Sequence, residues 1–442
     1  MLREPPLTMG ARCAVPSEGV TEFGGWPRPP RWVWAVAGVA TVAVLAGVAV
    51  ARAGPHDSAG SAPSRPAAAA ASPVPGSRIR GSAAQWPSAA GACGSAVNLP
   101  LIHLARLQAR LQGRVLVGGA GLRQVTLPGT VSGPVPGLAG RGWQVTNLVA
   151  GPGAAYAFDV PCFSFSASVR VYRIAAGAAH RTSTTAGVLP AGPHRARVVT
   201  YRPRAVLTRV LSPRTGGRAV TFKSGTSPVA DTAAGLVVVA YHPPAGRRHT
   251  VELLDPDTGA VLRRLGKGFP MGAARHVLLV SLHGCAGPPA RGTCTLETID
   301  LNTGRPIATA ELPRGRVPVS GDLASPVFSP DGTLAAFQLA RAKPDPRFAA
   351  ADAGPPSDVA VMHLRTGQLE MVPGLELPPL TWAGLAFNAT GSWLLATVSE
   401  GNRGLLLAWR PGMPGPGLLT SLPGPLAGPP PLLPAPSWWR AG

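Results

Sequence analysis

"VFSPDGTLAAFQLA" (327–340) reads as a short apolar strand, a tight turn and a second apolar strand. In Ser-Pro-Asp-Gly the proline presets φ, the aspartate can bond nearby amides, and the glycine takes the positive φ. A second kind of turn follows it. "VAVMHLRTG" (359–367) is an apolar strand closed by Thr-Gly, and the same frame returns as "VELLDPDTG" (251–259) and "LETIDLNTG" (296–304). Looser copies are "GLRQVTLPG" (121–129), "VRVYRIAAG" (169–177), "TRVLSPRTG" (208–216) and "GLLLAWRPG" (404–412).

The closing glycines, 129, 177, 216, 259, 304, 367 and 412, are separated by 48, 39, 43, 45, 63 and 45 residues. A period of roughly 40–45 residues made of short strands predicts an all-β propeller of about seven four-stranded blades. The first kind of turn also recurs: "FSPDGTLAAF" (328–337) aligns with "FNATGSWLLA" (387–396), and more faintly with "DTAAGLVVVA" (231–240) and "VAGPGAAYAF" (149–158). It joins the first two strands of a blade. The spacing of 63 contains a polar, Pro-rich insertion, "RAKPDPRFAAADAGPPSD" (341–358), and insertions within repeats map to loops.

Composition agrees with turn-rich structure: 55 Gly and 51 Pro stand among 442 residues. Ahead of the repeats, "WVWAVAGVATVAVLAGVAVA" (32–51) is twenty residues without a charge, long enough as a helix for a bilayer core. Trp32 and Trp34 suit an interface, and Arg12, Arg28 and Arg31 precede the span where only Arg52 and Arg65 follow closely. The expectation is a single-pass membrane protein: a cytoplasmic tail (1–31), a transmembrane helix (32–52), a disordered linker rich in Ala, Pro, Gly and Ser (53–91), an extracytoplasmic propeller (92–424) and a Pro-rich tail (425–442). The rival reading is a signal peptide cleaved after Ala49-Val50-Ala51, which the 31-residue preamble and long apolar core disfavour.

The cysteines bear on the same topology. Cys13 precedes the span, while Cys93, Cys162, Cys285 and Cys294 follow it, an even number in a compartment that would oxidise them. The alternative is four buried thiols. A metal site is a poorer fit, because His283, Cys285 and Cys294 offer three ligands and no CxxC pair.

Here the residues carry a family likeness. "FSPDGTLAAF…DVAVMHLRTG" resembles the repeat of TolB-type β-propellers, the SPDG-bearing relatives of WD-repeat blades. The likeness is good over 327–375, fair over three more blades and weak over the first three. It implies a non-catalytic platform for a protein or ligand. The anchor, linker and degenerate propeller together resemble actinobacterial membrane proteins, and Arg in place of Lys (three Lys among 41 basic residues) fits a high-GC genome.

No G-x-S-x-G elbow, H-E-x-x-H or P-loop occurs, so the sequence names no catalytic, cofactor or metal residue. The alternative function is a tethered propeller hydrolase or lactonase, for which the 20 acidic residues are a thin supply. One stretch is less ordinary. Between Asp159 and Asp231 there is no acid but eleven basic residues, and Arg195, Arg197, Arg202, Arg204 and Arg209 crowd "RARVVTYRPRAVLTRVL" (195–211). A charge run is usually a solvated face; the functional reading is a site for an acidic protein, an anionic wall polymer or lipid headgroups. Nucleic acid is disfavoured, since aromatics are not interleaved for base stacking.

Cys285 and Cys294 enclose "AGPPARGT" between two apolar runs, so adjacent antiparallel strands would bring them within disulfide reach. Cys93 precedes the first blade and Cys162 follows "AYAFDVP" in the second. Non-reducing peptide mapping is expected to recover Cys285–Cys294 and Cys93–Cys162 with Cys13 unpaired. Cys93 joined to Cys285 or Cys294, or four free thiols, overturns the pairing and the compartment together.

Overall fold

The computed structural model describes residue 107 and residues 111–434, apart from a few short gaps and the connections 139–142, 162–167, 187–196, 211–218, 243–247, 286–292, 320–325, 342–355, 378–382 and 424–431. The expected membrane span and linker, Cys13, Cys93 and Cys162, and Arg195 and Arg204 lie outside the described residues. Among the described residues, every regular element is a strand, and there are seven separate antiparallel sheets.

The first sheet holds β1 (Arg114–Val117), β2 (Arg123–Thr126) and β3 (Thr130–Pro134); the second holds β4 (Trp143–Gly151), β5 (Ala154–Pro161), β6 (Ser168–Ala175) and β7 (Ala178–Ala186). The third is β8 (Arg197–Arg202), β9 (Ala205–Val210) and β10 (Ala219–Lys223). The fourth runs β11 (Thr226–Thr232), β12 (Gly235–His242), β13 (Arg248–Leu254) and β14 (Val261–Gly266). The fifth runs β15 (Phe269–Ala274), β16 (Val277–Ser281), β17 (Thr295–Asp300) and β18 (Pro306–Glu311). In the sixth, β19 (Arg316–Pro318) and β20 (Val327–Phe328) share the inner edge of β21 (Leu334–Arg341), followed by β22 (Ser357–His363) and β23 (Leu369–Leu377). The seventh has β24 (Gly384–Phe387), β25 (Leu394–Glu400), β26 (Arg403–Trp409) and β27 (Gly417–Pro423). Last comes β28 (Leu432–Pro434), which returns to pair with β1 and completes the first sheet.

This is a β-propeller. The inner strands stand side by side around an axis: β11 touches β15, β15 touches β20, β20 touches β24, and β24 and β4 flank β28. Among the described residues, six sheets are complete blades of at least four strands and the third has three, β10-β9-β8. Six complete blades therefore correct the seven that the turn glycines predict. The reason is local: a closing glycine marks only the hairpin between the two outer strands of a blade. Gly216 falls between β9 and β10 as Gly259 falls between β13 and β14, whatever lies inside them.

The turns themselves form as the residues dictate. Gly177, Gly259, Gly304, Gly367 and Gly412 take φ between 73° and 82°. Asp255 accepts from the amides of Asp257 and Thr258, which holds its carboxyl below the ordinary value, and Asp300 accepts from that of Asn302. Gly129 differs: its turn is built on a cis Leu127–Pro128 bond, with the Gly129 amide donating to Thr126. In the opening stretch, the Ser329 hydroxyl accepts from the amides of Thr333 and Leu334, Asp331 accepts from Thr333, and Gly332 sits at φ 72°. Asn388 and Gly391 repeat that turn in the seventh sheet.

Apolar side chains on both faces of the sheets fill the gaps between neighbours. Phe387, Leu407 and Trp409 pack against Val359 and Val361 between the seventh and sixth sheets. Phe337 and Met362 meet Leu279 and Leu296 between sixth and fifth. Leu395 and Leu406 meet Val115 and Val125 across the join between last and first. The outer turns add a steric lock. A Cβ on Gly304 would stand 2.8 Å from Arg263 Cδ of the preceding sheet, and one on Gly367 would stand 2.2 Å from the Thr309 carbonyl oxygen.

β28 is three residues long, yet it is the inner strand of the first blade and lies between β24 and β4. Ending the chain at Gly424 is expected to destabilise the protein by more than about 3 kcal/mol, read as a lower denaturant midpoint for the purified chain. An unchanged midpoint would show that the ring does not need this closure.

Candidate functional site

Antiparallel blades divide their connections between two faces. Turns between first and second strands, and between third and fourth, leave one face; the remaining connections leave the other. On the turn face the segments are short and tied together, as where the Leu301 amide donates to His276 and the Leu364 amide to Thr333. On the loop face two connections are long: 13 residues from β16 to β17 and 15 from β21 to β22, in neighbouring sheets.

Both long connections are fastened at their base. Cys285 and Cys294 are joined by a disulfide with 4.6 Å between their Cα atoms, as the apolar runs on either side predict. Cys294 is buried and Cys285 packs beside it against the core between the fifth and sixth sheets. The second connection, the insertion singled out in the sequence, leaves from Arg341 and returns at Asp358. Asp358 Oδ1 lies 2.5 Å from Arg341 Nη2, and Oδ2 lies 2.7 Å from Arg316 Nε. Glu376 reaches Arg341 at 3.0 Å. Asp358 is buried, and the two guanidinium groups supply the partners that a buried acid requires.

A second cluster lies on the loop-face end of the second sheet. Asp159 is opposite Val145 of β4 and Arg170 of β6. The Arg170 guanidinium stacks on Trp143, 3.3 Å from the ring centroid. Asp159 is fully buried, and neither carboxylate oxygen has a hydrogen-bond partner. Burial pushes its carboxyl up to about 7, with the Arg170 charge opposing. On the other face of this sheet, Tyr156 is opposite Arg173, and burial raises the phenol while Arg173 opposes.

The arginine-rich stretch is divided by the fold. Arg197 is 1% exposed and forms an ion pair with Asp231 of β11, with its Nη2 donating to the Pro256 carbonyl at 3.2 Å. It links the third and fourth sheets. Arg202 ends β8 opposite Ala205, and Arg209 lies on β9 opposite Val198 and Ala219. The structure therefore does not place Arg197 on a surface where a ligand could reach it. The two acids that bracket the acid-free stretch, Asp159 and Asp231, are both buried and each faces an arginine from within it. The sequence shows the bracket, but not that its ends point inward. The Arg316–Arg341–Asp358–Glu376 network went unread because its members span 60 residues and meet only through strand pairing. Among the described residues, no three His, Cys, Asp or Glu side chains converge as metal ligands.

No protein-family model matches the chain, and no curated protein does. Solved structures with a similar course of chain include a protein from Lactobacillus plantarum, 14% identical with a TM-score of 0.41, over 73% of this chain and 100% of that one. A protein assigned as a 6-phosphogluconolactonase, from Bacteroides uniformis, is 13% identical with a TM-score of 0.39, over 73% of this chain and 99% of that one. Prolyl oligopeptidase B from Galerina marginata is 11% identical with a TM-score of 0.41, over 70% of this chain; the match spans 48% of the peptidase. No activity passes to this chain by likenesses of this degree.

Asp159 sets a measurable pH dependence. An aspartate ordinarily ionises near 3.8, whereas the folded chain holds this proton to about 7. Between those values the native state binds more protons than the unfolded one, so stability falls as pH rises through the window and levels off above it. Asp159→Asn removes that slope. At pH 8 the variant is expected to be more stable than wild type by about 2–4 kcal/mol, with little difference at pH 4, in denaturant unfolding of the solubilised chain. Equal offsets at both pH values would place the carboxyl in the ordinary range.

Proposed function

We propose that the chain is a single-pass membrane protein whose propeller lies outside the cytoplasm and binds a partner through its loop face, without catalysis. The observation that carries this reading is the pairing of two long connections on neighbouring sheets of one face. Each is fastened at its base, one by Cys285–Cys294 and the other by Asp358 between Arg316 and Arg341. Loops held on a rigid scaffold are the usual seat of recognition. The TolB-type likeness of the sixth blade points the same way, and the oxidised cysteine pair suits an extracytoplasmic compartment. The partner expected there is a protein or an anionic wall or lipid ligand.

A second reading, a tethered propeller hydrolase, is favoured by one observation. Asp159 is an acid whose proton is held to about 7 beside a guanidinium, as a general acid requires.

Three measurements separate these readings. Protease added to intact spheroplasts is expected to digest residues 53–442 and spare the N-terminal segment; full protection overturns the topology. A photoreactive residue at Phe348, in the insertion, is expected to give a discrete adduct on intact cells, while one at Thr366, on the turn face, gives none. Adducts from Thr366 alone would move the binding face. Lactone or ester hydrolysis that is lost in Asp159→Asn would favour the enzyme.

A further inference from the structure

Trp143, Asp159 and Arg170 share one face of the second sheet, the side packed against the first; Asp159 is in register with Val145 and Arg170, and Trp143 with Pro161. Asp159 shares its face of β5 with Ala155 and Ala157, and these lie in a core with Leu116, Leu122 and Val135 of the first sheet. The same face of that neighbour also carries Arg114 and the buried Gln124, and the Val145 amide donates to its Gly119 carbonyl. On β4 the facing residues are Trp143 and Val145, on β6 the facing residue is Arg170, whose charge acts on Asp159, and on β7 Arg181 lies on the same face opposite Tyr172. His180 of β7 is opposite Arg173, in the alternate row.

A guanidinium and an ionised carboxylate in directly opposed positions form a bidentate pair where they can. Here they do not. The guanidinium lies on the indole 3.3 Å from its centroid, and both Asp159 oxygens are without a hydrogen-bond partner. This is the arrangement expected of a neutral carboxyl group, which has no charge with which to draw the arginine off the ring.

We propose that Asp159 and Arg170 form a proton-operated switch that covers and uncovers Trp143. With the proton on Asp159, Arg170 stays on the indole. When the proton leaves for bulk water, Asp159 becomes an anion with the Arg170 guanidinium directly opposite it, and Arg170 turns to it, exposing the ring on the loop face. No covalent bond changes apart from the O–H. Burial of the carboxyl, which pushes its ionisation up to about 7, puts the exchange within the range that extracytoplasmic fluids cross. That exposure of Trp143 alters partner binding rests on the proposed function; the switch itself does not.

The full-length chain, solubilised in detergent and labelled with 5-fluorotryptophan, reads the switch directly. Trp143→Phe assigns the resonance. Between roughly pH 5.5 and pH 8.5, across the range where burial places Asp159, the Trp143 signal is expected to shift in one titration step. In Asp159→Asn it should remain at its low-pH position throughout. In His180→Gln the step should persist unchanged. The carboxyl carbon of Asp159 in the otherwise wild-type chain should titrate with the same midpoint, a measurement that does not depend on any variant folding. A Trp143 signal that does not move, that moves equally in Asp159→Asn, or that stops moving in His180→Gln overturns the proposal, as does an Asp159 carboxyl already ionised at the acid end. Loss of the switch with partner binding unchanged would leave the binding face standing and remove only the proton's control of it.

Discussion

The ring depends on closure. Each blade is a small antiparallel sheet that cannot bury both its faces alone, and so each needs a neighbour on either side. The first blade obtains its inner strand from the far end of the chain, where Leu432–Pro434 pairs with Val115–Val117. Through that pairing Leu433 joins the core between the first and second sheets, while Leu395 and Leu406 of the last complete sheet reach Val115 and Val125. The last sheet and the second sheet thereby each gain an apolar partner in the first. Three residues of the stretch that reads as a Pro-rich tail, Leu432–Pro434, are thus part of the first blade.

Charge is handled in the same economical way. With 41 basic residues against 20 acidic ones, the chain has few carboxylates to spend on pairing, and it places several where burial makes them effective. Asp231 meets Arg197 between the third and fourth sheets, and Asp358 lies between two arginines under the insertion. Asp159 is the exception. Burial makes it retain its proton, and the Arg170 guanidinium that opposes this lies on an indole ring. The same scarcity that makes the other pairs structural leaves this one free to respond to pH.

The two faces of the ring follow from the turn chemistry. Positive-φ glycines, with Asp255, Asp300, Ser329 and Asn388 bonding local amides, make the turn face short and self-satisfied. On the opposite face two connections are longer. They lie in neighbouring sheets, and each is anchored at its root, one covalently and one by ion pairs. That contrast, more than any single residue, separates the scaffold from the surface proposed to bind.

The sequence alone determined the strand class, the period, both kinds of turn, and the position of the insertion, because these rest on contacts within a few residues. It also marked Cys285 and Cys294 as partners, since the strands that flank them are consecutive. It overcounted complete blades, because a closing glycine reports its own hairpin and not a fourth strand. What only the tertiary structure decided lies across strands and sheets: that β28 closes the first blade, that Arg197 is buried against Asp231, and that Arg341 and Asp358 clasp the insertion. Asp159 is the clearest case. In the sequence it is one more aspartate in an alternating strand; the packing of one sheet on another takes it from water, and the strand register places Arg170 opposite it. Burial and register are properties of the assembled ring: burial makes an ordinary carboxyl hold its proton, and register supplies the Arg170 charge that opposes it.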